Sequence, residues 1–217
     1  MIYSVLFDSK NRENNIEKRN GCHFTWQSLS PEIKEYVEGA GNAKVRVERQ
    51  AAYNLLFSAL CHFFKVENPK IHRDTKGKPS LTDQSIYFNI SHSDGLVLVT
   101  LSDEYDVGCD IQCEPEKKNQ AALEKRFFKG TLPCSTSLDI NYFLATEGRI
   151  YEVDFESATE DSFTDKWVKL ESIMKLSGEG FSALPNIENI AQNISVDVRK
   201  LEIDKKHYSI ANSIKNG

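Results

Sequence analysis

Residues 45–64 read VRVERQAAYNLLFSALCHFF, and within them Ala51, Ala52, Leu55, Leu56, Ala59, Leu60 and Phe63 recur three and four places apart. That spacing puts one long apolar stripe on a single face of an α-helix, which must be covered by a large apolar surface. The covering surface the sequence offers is strand. Strand-like stretches occur at 2–7, 85–90, 96–101 (LVLVTL), 106–112 (DVGCDIQ), 194–203 and 207–213. Further helices are expected at 30–38, with Ser30 as N-cap and Pro31 in the first turn, at 117–128, and at 163–181, where Gly178 and Gly180 stop the helix. Residues 130–160 mix turn signals with apolar pieces and suggest no single element. Helices and strands alternate in two rough halves joined near 113–120, which argues for a mixed α and β fold. No internal repeat is legible.

Composition narrows the function classes. The chain has 217 residues, enough for one large domain or two small halves with a substantial core. Its formal net charge of -5 disfavours general nucleic-acid binding, which depends on neutralising phosphates with Lys and Arg. Five cysteines (Cys22, Cys61, Cys109, Cys113, Cys134) with no CxxC suggest neither a disulfide framework nor a zinc site, and reduced thiols in a cytoplasmic protein are expected. The N-terminal MIYSVLFDSKN is too short an apolar run for a signal peptide or membrane span, and reads as a first strand.

Several short motifs carry polar chemistry. In CDIQ, Asp110 and Gln112 share one face of a strand, where two oxygen ligands suit a hard cation, or simply a solvent face. In WVKLESIMK, Glu171 and Lys175 share one helix face, as a surface ion pair or as a carboxylate with an ammonium one turn away. FNISHSDG ends a strand in a cluster of hydrogen-bonding groups. His92 there is a satisfied structural group or, with Ser91 and Ser93, a donor to phosphate. Lys76 and Lys78 flank Gly77 in a turn. Lys44, Arg46 and Arg49 open the long helix, as a solvated face or part of an anion site.

In order along the chain, GKP (77–79), FNISHS (88–93), VGCDIQ (107–112), RFF (126–128) and WVKLESIMKLSGEGF (167–181) resemble the 4′-phosphopantetheinyl transferases of the surfactin-synthetase-activating type. The resemblance implies an α+β fold of two similar α/β halves related by a pseudo-twofold axis. Residues 1–113 would hold the CoA-phosphate and metal motifs, and residues 114–217 the Trp167–Glu171 helix. It also implies transfer of the 4′-phosphopantetheine arm of coenzyme A to a serine of an acyl, peptidyl or aryl carrier protein, with release of adenosine 3′,5′-bisphosphate. The cofactor implied is Mg²⁺, or Mn²⁺ in its place. A monomer is expected, with no nucleic-acid or membrane partner.

Matched position by position, the resemblance makes Asp110, Gln112 and Glu171 the metal ligands. Glu171 also helps deprotonate the attacking serine. Lys175, His92 and Ser91 contact the CoA phosphates, and Lys78 and Arg49 hold the nucleotide end. Glu171, Lys175 and His92 are the implied catalytic set. Two positions depart from the pattern. Leu170 stands where the family has a lysine, and Lys169 is about 100° away round a regular helix. Gln112 stands where a second acid is common. These departures keep open a second reading, a catalytically weakened CoA-binding or carrier-binding protein. On family geometry, Leu170→Lys is expected to raise turnover.

Overall fold

The computed structural model describes residues 1–10, 29–114, 120–128, 132, 136–146, 149–158 and 162–216. Its elements run β1 (Ile2–Asp8), α1 (Pro31–Glu38), α2 (Ala43–Phe64), β2 (Ile71–Arg73), β3 (Pro79–Leu81), β4 (Tyr87–Ser93), β5 (Leu96–Ser102), β6 (Val107–Cys113), α3 (Gln120–Phe127), β7 (Ile140–Thr146), β8 (Arg149–Glu152), β9 (Glu156–Ser157), α4 (Phe163–Ser177), α5 (Ile187–Ala191), β10 (Ile194–Ile203) and β11 (Lys206–Lys215). A 3₁₀ turn at Gly180–Asn186 joins α4 to α5.

The long helix begins where Asn42 accepts the Val45 N–H and ends at Lys65 in the left-handed region. Its apolar stripe meets a five-stranded sheet of order β4-β5-β1-β7-β8. Val5 and Phe7 of β1 and Val97, Val99 and Leu101 of β5 turn toward α2 and share a core with Leu55, Leu56 and Leu60. The alternate side chains of the same strands, Leu6, Leu96 and Leu98, form a second core with Cys109, Ile111, Tyr208 and Ile210 of the other sheet. With both faces covered, β5 is buried throughout, and its sequence is accordingly a near-continuous apolar run. The second sheet has the order β6-β11-β10-β9, and α4 covers its far face in a third core that includes Val168, Leu170, Ile173, Val196 and Val198. The layers are thus helix, sheet, sheet, helix.

The mixed α and β class expected from the sequence is what the structure shows. The two sheets do not divide at residue 113. β6, from before that point, pairs with β11, while β7 and β8, from after it, complete the first sheet through a parallel pairing of β7 with β1. The uninterpreted stretch 130–160 holds β7, β8 and β9. Part of the helix expected at 117–128 lies outside the described residues; Gln120–Phe127 is helical. No helix among the described residues is long and apolar enough to cross a membrane.

The expectation of reduced thiols holds at Cys109 and Cys113 and fails at Cys61, which is disulfide-bonded. Cys22 and Cys134 lie outside the described residues. Burial pushes the Cys109 thiol up to about 12, so it behaves as a small apolar side chain.

Where the sheets meet, β4 and β6 are both edge strands. Their junction is made by side chains. Asn89 Oδ1 accepts the Cys109 N–H at 3.4 Å, Ser91 Oγ the Ile111 N–H at 3.3 Å, and Ser93 Oγ the Cys113 N–H at 3.1 Å. The period-two polar face of FNISHS therefore satisfies every second backbone donor along the β6 edge.

Candidate active site

A cleft of about 370 Å³ opens between α2, the β2–β3 hairpin, the ends of β4 and β6, and α4. Arg49, Lys78, Ser91, His92, Asp110, Gln112, Glu171 and Lys175 all line it, so the candidate residues chosen from sequence converge on one place. Tyr36, Tyr53 and Arg73 line it too, and sequence reasoning missed them.

Close packing sets α4 against β6. At Gly108, a Cβ would come within 2.1 Å of the Ser172 carbonyl oxygen and 2.8 Å of Leu176 Cβ, so only glycine admits the helix. Ser213 fastens the contact, its hydroxyl lying 3.0 Å from the Ser172 carbonyl and 3.3 Å from that of Gly108. One residue pair further along β6, Asp110 then faces the i,i+4 pair Glu171 and Lys175.

Asp110 is 2% exposed. Its Oδ1 accepts from Lys175 Nζ at 2.6 Å and from Ser91 Oγ at 2.6 Å, while Oδ2 is buried with no hydrogen-bond partner. Lys175 also donates to Ser91 Oγ at 2.8 Å. The Ser91 hydroxyl thus gives its one proton to Asp110 and accepts from Lys175 and the Ile111 N–H. That leaves it no proton for a ligand phosphate, the role the resemblance implies. Ser91 instead braces Asp110 and Lys175.

Burial first, and then the neighbouring Asp110 carboxylate, push the Glu171 carboxyl up to about 7. For Lys175, burial works against the charge, but Asp110 outweighs it together with Cys109 and Glu171, and its pKa is raised. The donor set fits a hard divalent cation. Two carboxylates repel each other across the cleft, and one of them has an orphaned buried oxygen. Gln112 donates its amide nitrogen to the Cys113 carbonyl at 3.2 Å, leaving its oxygen for coordination. Among the described residues, no group of three or more His, Cys, Asp or Glu side chains is placed to hold a metal, so the amide is the third oxygen on offer.

The same cleft is also lined by cations. Asp74 Oδ1 accepts the backbone N–H groups of Lys76 and Lys78 at 2.9 and 2.8 Å, and Gly77 takes φ +89° between them, which fixes the turn. Lys78 Nζ reaches Asp106 at 3.1 Å and the Leu176 carbonyl at 3.2 Å, at the C-terminal end of α4. The guanidinium carbons of Arg49 and Arg73 lie 4.1 and 3.7 Å from the Tyr36 ring centroid. Arg49 donates to the Tyr36 carbonyl at 2.6 Å, and Arg73 to the Tyr53 hydroxyl at 3.2 Å. Both guanidiniums are therefore held in place before any ligand arrives. Arg73 lies four residues before Gly77 in the same hairpin, the one local signal that could have found it.

Leu170 is fully buried in the core under α4, and Lys169 is also buried and does not line the cleft. The helix is regular through both positions, so neither supplies an ammonium to this site.

No protein-family profile matches the chain. A curated protein of Synechocystis sp. (strain PCC 6803), described as "Putative 4'-phosphopantetheinyl transferase", is 31% identical over 110 residues, 49% of this chain and 39% of that protein. The chain therefore spans about two fifths of that relative's length. Over that stretch the chain is thus similar to a protein carrying that description, the same family its motif order resembles.

Proposed function

We propose that the protein transfers the 4′-phosphopantetheine arm of coenzyme A to a serine hydroxyl of an apo carrier protein, releasing adenosine 3′,5′-bisphosphate. The observation that carries this reading is the mixed chemistry of one cleft: fixed cations line it together with a raised carboxyl, a buried carboxylate and an ammonium. Arg49, Arg73, Lys76 and Lys78 suit the anionic nucleotide end of CoA. Lys175 reaches the pyrophosphate from α4 and offsets charge on the leaving phosphate. Asp110, Glu171 and the Gln112 amide oxygen would hold Mg²⁺, which supplies Lewis-acid polarisation of the phosphoryl oxygens when bound. Glu171, its carboxyl raised toward neutrality, would take the proton from the incoming serine hydroxyl. The helix-on-sheet pairs α2 with the first sheet and α4 with the second are consistent with two related halves.

The test mixes the protein with CoA, Mg²⁺ and several apo carrier proteins, and reads the carriers by intact mass. A mass gain of one phosphopantetheine arm, lost with Mg²⁺ chelation, supports the reading; unmodified carriers at high enzyme and CoA overturn it. One observation favours a second reading. With Leu170 packed in the core, the lysine of the family pattern is missing from the cleft, as would suit a CoA-binding protein with weakened chemistry. Calorimetric CoA binding without carrier modification would select that alternative.

A further inference from the structure

Glu48 of α2 is 5% exposed, and sequence reasoning assigned it nothing. Its Oε1 accepts the Gly95 N–H at 2.8 Å, and its Oε2 lies 3.1 Å from His92 Nδ1. An ionised carboxylate only accepts, so the hydrogen between them belongs to Nδ1. Nε2 is then the ring nitrogen left to the cleft that His92 lines. The same carboxylate grips the ring and the turn that follows it, where Gly95 takes φ +88°. Rotating the imidazole would break its bond to an acid that is largely shielded from solvent.

We infer that Glu48 is a positioning residue that fixes the tautomer and orientation of His92, presenting Nε2 to the cleft as a bare acceptor. The ring then becomes an N–H donor to an anionic ligand only by taking up a proton from solvent. This rests on the proposed function for the identity of the ligand, CoA, but the orientation of the ring does not. The charged groups facing His92 are Glu48 and Arg49 from α2 and Lys175 from α4. Burial acts first against charging the ring, Glu48 favours it, Lys175 and Arg49 oppose it, and the net pKa lies below 6.5. A phosphate at Nε2 adds the negative charge that tips this balance. Ligand binding and proton uptake are therefore linked, and the contribution of His92 to affinity grows as the pH falls.

The experiment is NMR of ¹⁵N-labelled histidine in the intact chain, free and with CoA. In the free wild type above the His92 pKa, Nδ1 should show the protonated type of shift and Nε2 the unprotonated type. CoA should convert the ring to the doubly protonated form. Glu48→Gln should mix the tautomers and weaken CoA binding about tenfold, the loss of one well-placed hydrogen bond. In a His92→Ala background the same change should leave CoA affinity unaltered. A free wild-type ring protonated on Nε2 overturns the inference. So does a Glu48→Gln variant that melts lower but keeps the tautomer and the affinity. If CoA perturbs no cleft resonance, the transferase reading fails by itself, while the free-protein tautomer still decides the role of Glu48.

Discussion

Glu171 carries the most testable consequence of the cleft at the scale of a single residue. Its folded pKa of about 7 stands above the ordinary 4.5 because of burial first and Asp110 second. Below 4.5 the carboxyl is neutral in the folded and unfolded chain alike. Between 4.5 and about 7 the unfolded chain is ionised while the folded chain still holds the proton, so stability falls across that window and levels off above it. Glu171→Gln should therefore be more stable than wild type at pH 8, by roughly 1–3 kcal/mol, with the gain gone by about pH 4.5. Thermal melts at the two pH values check this, and a lower melting temperature at both would contradict it. The same variant should lose carrier modification by at least about 100-fold, as expected when a general base is removed. Asp110, Gln112, Glu171 and Lys175 were legible because periods of two and four fix shared faces. Glu48 and Arg73 were not, because a polar residue on a helix or hairpin gains meaning only from its partners, here His92, Tyr36 and Tyr53.

Among the elements, α4 is placed by Gly108 and stabilised by Leu170. With 2.1 Å between a would-be Cβ and the Ser172 carbonyl, Gly108→Ala must lift α4 off β6 and separate Asp110 from Lys175. We expect a loss of about 2–3 kcal/mol, typical of overpacking, together with loss of CoA binding; denaturant unfolding and calorimetry measure both. Leu170→Lys reverses the expectation drawn from family geometry. The site is fully buried among Val168, Ile173 and Ala183, so the change buries an ammonium and should destabilise the fold by roughly 3 kcal/mol or more without raising turnover. Unchanged melting with increased turnover would refute this. The amphipathic pattern at 163–181 identified the helix. The depth to which one of its faces sinks was not readable, since burial depends on the sheet beneath.

For the whole molecule, the sequence pattern located β1, β5, β6, β10 and β11 to within a residue or two and β4 less closely, but not β2, β3, β7, β8 or β9, nor any strand's partner. The parallel pairing of β7 with β1 joins residues 140–145 to residues 2–7, and no local pattern encodes a contact so distant in sequence. The two sheets also share a buried polar network. Asn212 bridges Thr100 and Tyr142, and the Tyr142 hydroxyl donates to Asp197, which Arg199 grips through both carboxylate oxygens. The side-chain junction of β4 and β6 can be probed directly. Ser93→Ala leaves the Cys113 N–H without its acceptor and should cost about 1–2 kcal/mol, with faster hydrogen exchange concentrated at Cys113. Uniform loss of protection across both sheets, or none at Cys113, would count against the junction.

That junction also works as a ruler. Asn89, Ser91 and Ser93 meet Cys109, Ile111 and Cys113 at matched two-residue steps. A substitution at one step loosens one stitch. Deleting or inserting a residue between 89 and 93 turns every later side chain to the opposite face, exchanging stitches for core residues and carrying His92 out of the cleft. The segment should thus accept point changes far more readily than any change of length.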